Sequence, residues 1–417
     1  MEMTENTAAA GACVPAAKAQ AASPKRVRPR NRGLLIAGGV ATAVALVGIG
    51  FWIVQLTGGM VQTGMRNLDS WGLYITCFMF FVGLSAGGLI ISSVPNAFGI
   101  EGFGGVSKIA IWSSICCTVA AIAFVVVDLG QPLRLWELIA YSNMASPLMW
   151  DIIVLAVYLV LSVAYLWAHT RYEAGRVSHA AIRVVSVVAL ACAVLVHSVT
   201  AWIFGLQQAH EFWHTALLAP WFVSSALVCG TALVLALALL LRKAGRVSLA
   251  QEHVVRMVKL LAAFLIVDLY FFACDLLTSF FPADEGAEVV AMLVSGPLAP
   301  FFWFEIVACI VAVVICVVPR LRTDALLVVG AVLAIAGIFC KRVQLLVGGF
   351  QIPNIEFAGV ADQYAITNWG NGMDAAYSGL VYMPAGIEWI VALGVVGLAV
   401  ALLCFGLAKL APGAEEK

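Results

Sequence analysis

Nine ionisable side chains stand inside, or at the ends of, otherwise apolar stretches: Asp128, Asp151, His197, Asp268, Asp275, Glu305, Lys341, Arg342 and Glu388. Such groups are expensive in a bilayer and usually mark function. Asp268 and Asp275 are seven residues apart, two helical turns, so they share one face. With Glu305 they are the expected proton path, and a structural pairing with Lys341 or Arg342 is the alternative. His197 lies about two turns below the end of its stretch. His210 and His214 follow it, four apart and hence on one side if helical. Asp128-Leu129-Gly130-Gln131-Pro132-Leu133-Arg134 ends another stretch. Gly and Pro turn the chain there, and the turn can return the guanidinium to the carboxylate and tune its proton affinity. A quinone headgroup asks for little more: a donor or two to its carbonyls, a proton acceptor and aromatic walls. Tyr74, Trp202, His197, Asp128 and the His210/His214 pair can supply these. Interfacial anchoring is the competing role of any single Trp or Tyr among them.

The elements that must position these groups are membrane helices. Apolar residues make up 63% of the chain and charged residues only 11%, which excludes a soluble domain, and a formal net charge of zero gives no reason to expect nucleic acid. About ten stretches approach the ~20 residues that cross a bilayer: Gly33–Leu56, Trp71–Phe98, Gly105–Asp128, Pro147–His169, Ile182–Gly205, Leu217–Leu241, Val254–Leu277, Ala299–Pro319, Asp324–Leu345 and Ala385–Lys409. Backbone in hydrocarbon must satisfy its own hydrogen bonds, so all are expected to be helices.

Of the 23 Lys and Arg residues, 19 fall on the N-terminal tail and every second loop, and four (Arg66, Arg134, Lys341, Arg342) are assigned to the opposite side. The positive-inside rule then places both termini in the cytoplasm of a bacterial inner-membrane protein. Residues 1–32 read as a disordered cytoplasmic tail and 33–56 as an uncleaved first span. The opposite loops carry the Trp, His, Asp, Pro and Gly residues. The longest, 346–384, is rich in aromatics (Phe350, Phe357, Tyr364, Trp369, Tyr377) and is the expected dock for a partner. Residues 385–417 supply the last span and a second tail.

Two helix openings are alike: Ser146-Pro147-Leu148-Met149-Trp150-Asp151 and Ala299-Pro300-Phe301-Phe302-Trp303-Phe304-Glu305. Four spans separate them. The expected architecture is therefore all-α, with two parallel four-helix bundles over 71–205 and 217–345 and two peripheral helices. The first bundle would hold the quinone site.

Haem is not expected, since only His197 lies well inside a span and axial pairs come from facing helices. None of the eleven cysteines forms a C-x-x-C pair, so no metal or iron–sulfur site is expected. A transporter on parallel repeats would show helices broken at mid-membrane, which the chain lacks. A plain membrane anchor is the remaining alternative.

Several motifs together resemble a known family. The D-x-G-x-P-x-R run at Asp128–Arg134, the S-P-x-x-W run at Ser146–Trp150, and Trp71-Gly72-Leu73-Tyr74 leading to Gly83-Leu84-Ser85-Ala86-Gly87-Gly88 are similar to the polysulfide reductase membrane-subunit (NrfD/PsrC-like) family. His197-Ser198-Val199-Thr200-Ala201-Trp202, with Trp213-His214-Thr215 before Pro220-Trp221-Phe222-Val223, resembles its longer ten-span members, as in alternative complex III. The resemblance covers roughly 71–349. It implies a haem-free subunit that exchanges electrons between a menaquinone or ubiquinone pool and a four-cluster ferredoxin-like iron–sulfur subunit, itself serving a molybdopterin catalytic subunit. By position it implies a quinone pocket at Asn67, Asp69, Trp71, Tyr74, Asp128, Arg134 and His197. Family pockets often carry a His before the second span, where this chain has Arg66-Asn67-Leu68-Asp69-Ser70, so Asn67 or Asp69 stands in its place.

Overall fold

The computed structural model describes residues 31–65, 69–98, 104–208, 210, 212–281, 285–350 and 382–410. Twelve α-helices lie in that range: α1 (Arg32–Gly58), α2 (Leu73–Phe98), α3 (Gly104–Asp128), α4 (Glu137–Ala140), α5 (Pro147–Glu173), α6 (His179–Gly205), α7 (Leu218–Lys243), α8 (Gln251–Phe280), α9 (Glu285–Ser295), α10 (Ala299–Val317), α11 (Asp324–Phe350) and α12 (Gly386–Leu410). Ten of them, all but the short α4 and α9, are long and apolar enough to cross a membrane. No strand occurs among the described residues.

Local chemistry sets the helix ends. Pro occupies the first turn of α5 and of α10, where its missing N–H costs nothing. Gly175 and Gly245 take φ 68° just past α5 and α7, the left-handed cap that favours glycine.

α2, α3, α5 and α6 pack in a ring, and α7, α8, α10 and α11 pack in a second ring. The rings meet chiefly where α2 crosses α7. A Cβ on Gly87 would collide with the Ala226 carbonyl, and one on Gly230 with the backbone of Gly87, so only glycine permits this approach. α1 packs along α12, which rests on α3, and Gly48 and Gly394 meet backbone to backbone at that crossing. His197 and Arg342 are each the nineteenth residue of α6 and α11, both 27 residues long. They are corresponding positions of the two rings.

Some expectations need correcting. α11 continues to Phe350, beyond the expected end at 345, so Phe350 belongs to a helix rather than to the loop. Lys341 and Arg342 sit within α11 at 2% and 1% exposure, so neither counts towards the charge of the outer loops. Residues 1–30 and 351–381, with most of the expected tail and outer loop, lie outside the described residues.

Replacing Gly87 by Val should overpack the α2–α7 crossing and lower stability by about 1–3 kcal/mol. Thermal unfolding of the detergent-solubilised protein measures this. Gly39→Val, with no atom within 4 Å of the added Cβ, should change little.

Candidate functional site

The expected site residues fall into separate groups. The first is at the ends of α1, α2, α3 and α12 that lie opposite the chain termini. Tyr74 is fully buried and donates its hydroxyl to Gln55 Oε1 at 2.6 Å, while Gln55 Nε2 donates to the Val127 carbonyl at 3.1 Å. Asp128, the next residue, is half-buried, and its Oδ1 is inaccessible and has no hydrogen-bond partner. Glu388 accepts from the N–H of Gly64 at 2.6 Å, from that of Ala385 at 2.8 Å and from the Tyr382 hydroxyl. Tyr382 in turn accepts the N–H of Leu73 at 2.9 Å. Asp69 is buried beside the start of α2. Asn67 lies outside the described residues.

Just beyond Asp128 the chain bounds a cleft of about 510 Å³ between the end of α3 and the start of α5. Leu129, Leu138, Met149 and Ile152 form apolar walls, with Gln131 and Ser146 among the polar ones. Arg134 lines this cleft but does not return to Asp128. It forms a two-point pair with Glu137, Nε to Oε1 at 2.8 Å and Nη2 to Oε2 at 2.7 Å. The tight turn Pro132–Arg134 carries the chain outward and leaves Glu137 three residues away as the nearest match.

The second group caps the junction of the rings. Trp71 meets Phe204 edge-on at 5.7 Å, and Trp213 meets Phe204 at 5.2 Å and Phe350 at 4.9 Å. Trp213 donates to the Leu345 carbonyl at 2.7 Å. His210 packs 4.4 Å from Trp213, with Nδ1 3.0 Å from the Gly349 carbonyl. A carbonyl only accepts, so Nδ1 carries the proton. Burial lowers the His210 pKa against the opposing pull of that hydrogen bond. His214 is exposed, although its N–H bonds back to the His210 carbonyl at 3.1 Å. Trp202 is 37% exposed on the outside of α6, the position of an interfacial anchor rather than a pocket wall.

The third group is deep. Gly83, whose added Cβ would lie 3.4 Å from His197, is nine residues along α2 from Tyr74, about 13 Å. His197 therefore does not share a pocket with Tyr74 and Asp128. Its Nε2 is 3.3 Å from Arg342 Nη2, and its Nδ1 is unpartnered. Arg342 also donates to Ser225 and lies 3.7 Å over the Phe222 ring. Lys341 pairs with Asp268 and approaches Glu305 Oε1 at 3.3 Å, an ion pair without hydrogen-bond alignment. Gln344 donates to Glu305 Oε2 at 2.8 Å. Asp275, although buried, stands outside this set, two turns from Asp268 towards the C-terminal end of α8.

Sequence reasoning missed Gln55, Tyr382 and Gln344, and also a hydroxyl cluster inside the first ring. There Ser85 lies 2.6 Å from Thr118, 3.0 Å from Ser114 and 3.1 Å from Tyr158. One signal was available: Gln55 interrupts an apolar span as a lone amide. Among the described residues no group of three or more His, Cys, Asp or Glu could hold a metal ion.

The model of the family described as "Polysulphide reductase, NrfD" matches residues 60–354. A membrane subunit of Halobacterium salinarum, provisionally named as part of a dimethyl sulfoxide reductase, is 32% identical over 88% of this chain and 89% of its own. A selenate reductase subunit of Mesobacillus selenatarsenatis is 25% identical over 87% and 91% respectively. The Hdr-like menaquinol oxidoreductase integral membrane subunit of Archaeoglobus fulgidus is 25% identical over 88% and 91%.

Lys341→Met should strand two buried carboxylates and cost about 3–5 kcal/mol, whereas adding Asp268→Leu and Glu305→Leu should recover most of it. Urea or thermal unfolding of the wild type, the single variant and the triple variant in detergent reads this. The His210 contact has a definite pH sense. Its folded pKa lies below the unfolded 6.5, so its packing is fully stable above pH 6.5 and weakens as pH falls below it. The protection of the Trp213 indole N–H, its exchange rate relative to that of a free indole at the same pH, should fall on acidification, and His210→Asn should remove that dependence.

Proposed function

Because the chain belongs to the polysulphide reductase NrfD family of membrane proteins, we propose that it is the quinone-interacting membrane subunit of a multi-subunit oxidoreductase. In this reading it lies in the cytoplasmic membrane with both termini inside. The carrying observation is the unpartnered, buried Oδ1 of Asp128, one residue before Leu129, which lines a cleft of about 510 Å³. A pocket of that size suits a headgroup-sized ligand, and its mixed apolar and polar walls fit a quinone ring. An unmet buried acceptor calls for a donor to meet it.

When bound, a menaquinone or ubiquinone supplies two-electron, two-proton chemistry, its electrons exchanged with an iron–sulfur partner. The chain's own residues do the rest. Asp128 holds or releases a proton at its Oδ1. Tyr74 and Gln55 fix the backbone that carries Asp128. Leu129, Leu138 and Met149 give the cleft its apolar walls. Trp71 and His210 close the neighbouring junction between the rings, and Asp69 precedes α2 on the same side. His197 belongs to the buried polar set instead.

The partner reading is a ferredoxin-like iron–sulfur subunit, itself serving a molybdopterin catalytic subunit, docked on the outer face. Its support is the apolar rim of the cleft: Leu133, Ile139 and Tyr141 are 90%, 78% and 78% exposed. Such a surface on the aqueous side marks an interface. Asp268, Glu305 and Lys341, with Asp275 above them, are the basis for proposing a proton path in the second ring.

In the purified complex, Asp128→Asn should reduce quinol-analogue turnover by roughly 10²-fold or more, while His197→Gln should leave it within a few-fold. Full activity in an assembled Asp128→Asn complex places the site elsewhere. A Leu133→Glu/Ile139→Glu double variant should still insert but lose the iron–sulfur subunit on affinity purification. Asp268→Asn should lower the proton-to-electron ratio in liposomes without slowing electron transfer, and an unchanged ratio removes the path.

A further inference from the structure

Each of the two Pro–x–x–Trp helix starts ties its indole to the connection before it, and in the first ring that tie holds a wall of the cleft. Trp150 donates its indole N–H to the Met144 carbonyl at 2.7 Å. Trp303 does the same in the second ring, donating to the Val294 carbonyl at 3.0 Å. The two bonds differ in what they hold. Asn143, Ser146, Met149 and Ile152, on either side of Met144 and Trp150, line the cleft. No residue of the second ring lines it. Trp150 itself lies outside that lining, so it acts on the cleft only through the chain it fastens.

What it fastens is a tight turn with a fixed polarity. Asn143 Oδ1 accepts the Ala145 N–H at 3.1 Å, and the Asn143 carbonyl accepts the Ser146 N–H at 3.0 Å. A flipped Asn143 amide would set donor against donor. Its Oδ1 therefore faces Ala145, and its Nδ2 has no partner among the described residues. Ser146 stands at the N-cap of α5 but makes no cap bond, which leaves its hydroxyl uncommitted too. On the opposite wall, Glu137 compensates Arg134 at two points. The cleft thus offers uncharged donors between apolar walls, and a neutral ring with an oxygen at its edge matches that better than an anion.

We infer, resting on the functional reading above, that the Asn143 amide and the Ser146 hydroxyl bind one ring oxygen of the quinone headgroup, and that Trp150 is the positioning residue that holds them on it. Asn143 is exposed and Ser146 half-buried, so water meets both donors while the cleft is open. A headgroup that displaces this water must offer its oxygen in exchange, or the donors go unmet. That is how the pair selects a ligand with an oxygen in this place. Both redox forms carry a lone pair on that oxygen, so the contact sets affinity and placement, not the direction of electron flow.

The test is steady-state turnover of a soluble naphthoquinol, or of the naphthoquinone in reverse, by the purified complex. Asn143→Asp keeps the acceptor that Ala145 needs and replaces the free donor with a carboxylate oxygen. Its KM should rise about tenfold, with kcat within a few-fold of wild type. Ser146→Ala should raise KM roughly threefold. Trp150→Phe keeps an aromatic ring but removes the N–H, and its KM should also rise roughly threefold. In the Asn143→Asp/Trp150→Phe double variant the Trp150 effect should vanish, because Trp150 acts through the turn. Trp303→Phe loses the matching bond in the second ring and should leave KM unchanged. A wild-type KM in Asn143→Asp overturns the contact. A Trp150→Phe complex whose KM rises no more than that of Trp303→Phe, or whose effect persists in full in the double variant, overturns the positioning role. If the wild-type complex turns over neither naphthoquinol nor naphthoquinone, the functional reading itself fails.

Discussion

Lys341 and Arg342 are consecutive and both almost fully buried, and this pair fixes how the second ring is assembled and joined to the first. Successive residues on a helix point about 100° apart. Lys341 therefore faces into its own ring, where Asp268 of α8 and Glu305 of α10 supply the opposite charge. Arg342 turns to the seam between the rings, where His197 of α6 in the first ring and Ser225 of α7 in its own ring accept from it and Phe222 of α7 lies beneath it. A rotation of α11 that satisfied one cation would strand the other. The charges balance as two cations against two carboxylates, which is the condition for burying any of them. The close approach of α2 and α7 at Gly87 and Gly230 brings the rings near enough for Arg342 to reach across.

The outer site obeys the same rule with weaker partners. Glu388 is met by a hydroxyl and by backbone N–H groups rather than by a cation. That makes the site responsive to a ligand. Glu388 has three donors, whereas Asp128 keeps an oxygen unmet. α1 and α12 are more than peripheral: they cross at Gly48 and Gly394, Gln55 of α1 reaches Tyr74 of α2 and Val127 of α3, and Glu388 of α12 holds Gly64 ahead of α2.

Much of this was legible in the sequence because bilayer constraints act locally. Span length, the Pro–x–x–Trp helix starts and the position of Asp128 at a helix end all follow from rules with short range. The Asp268–Asp275 spacing placed both on a buried face of α8, and the alternative of a Lys341 partner for Asp268 is the contact found. What failed depended on chain direction through turns. Arg134 has an acid three residues ahead as well as six behind, and only the tight turn at Pro132–Arg134 decides between them. His210 packs against Trp213 while His214 stays exposed, a difference the four-residue spacing does not reveal. Gln55 and Tyr382 were overlooked because an amide or a phenol in an apolar run has meaning only through a partner far away in sequence.

The distance between the two polar centres is itself informative. Tyr74 and the contact of Gly83 with His197 share α2 but stand about 13 Å apart along it. A redox centre that exchanges protons with the outer aqueous side has to be shallow, and a charge-balanced cluster survives only where water is scarce. The deep centre includes His197, a ring with two different nitrogens. Arg342 can only donate, so His197 Nε2 must accept, and the proton must sit on Nδ1. A neutral His197 is thus a condition of the contact between the rings. A charged one would present a donor to a donor, with no acceptor on either side. The hydrogen bond between α6 and α11 consequently depends on where a single proton resides.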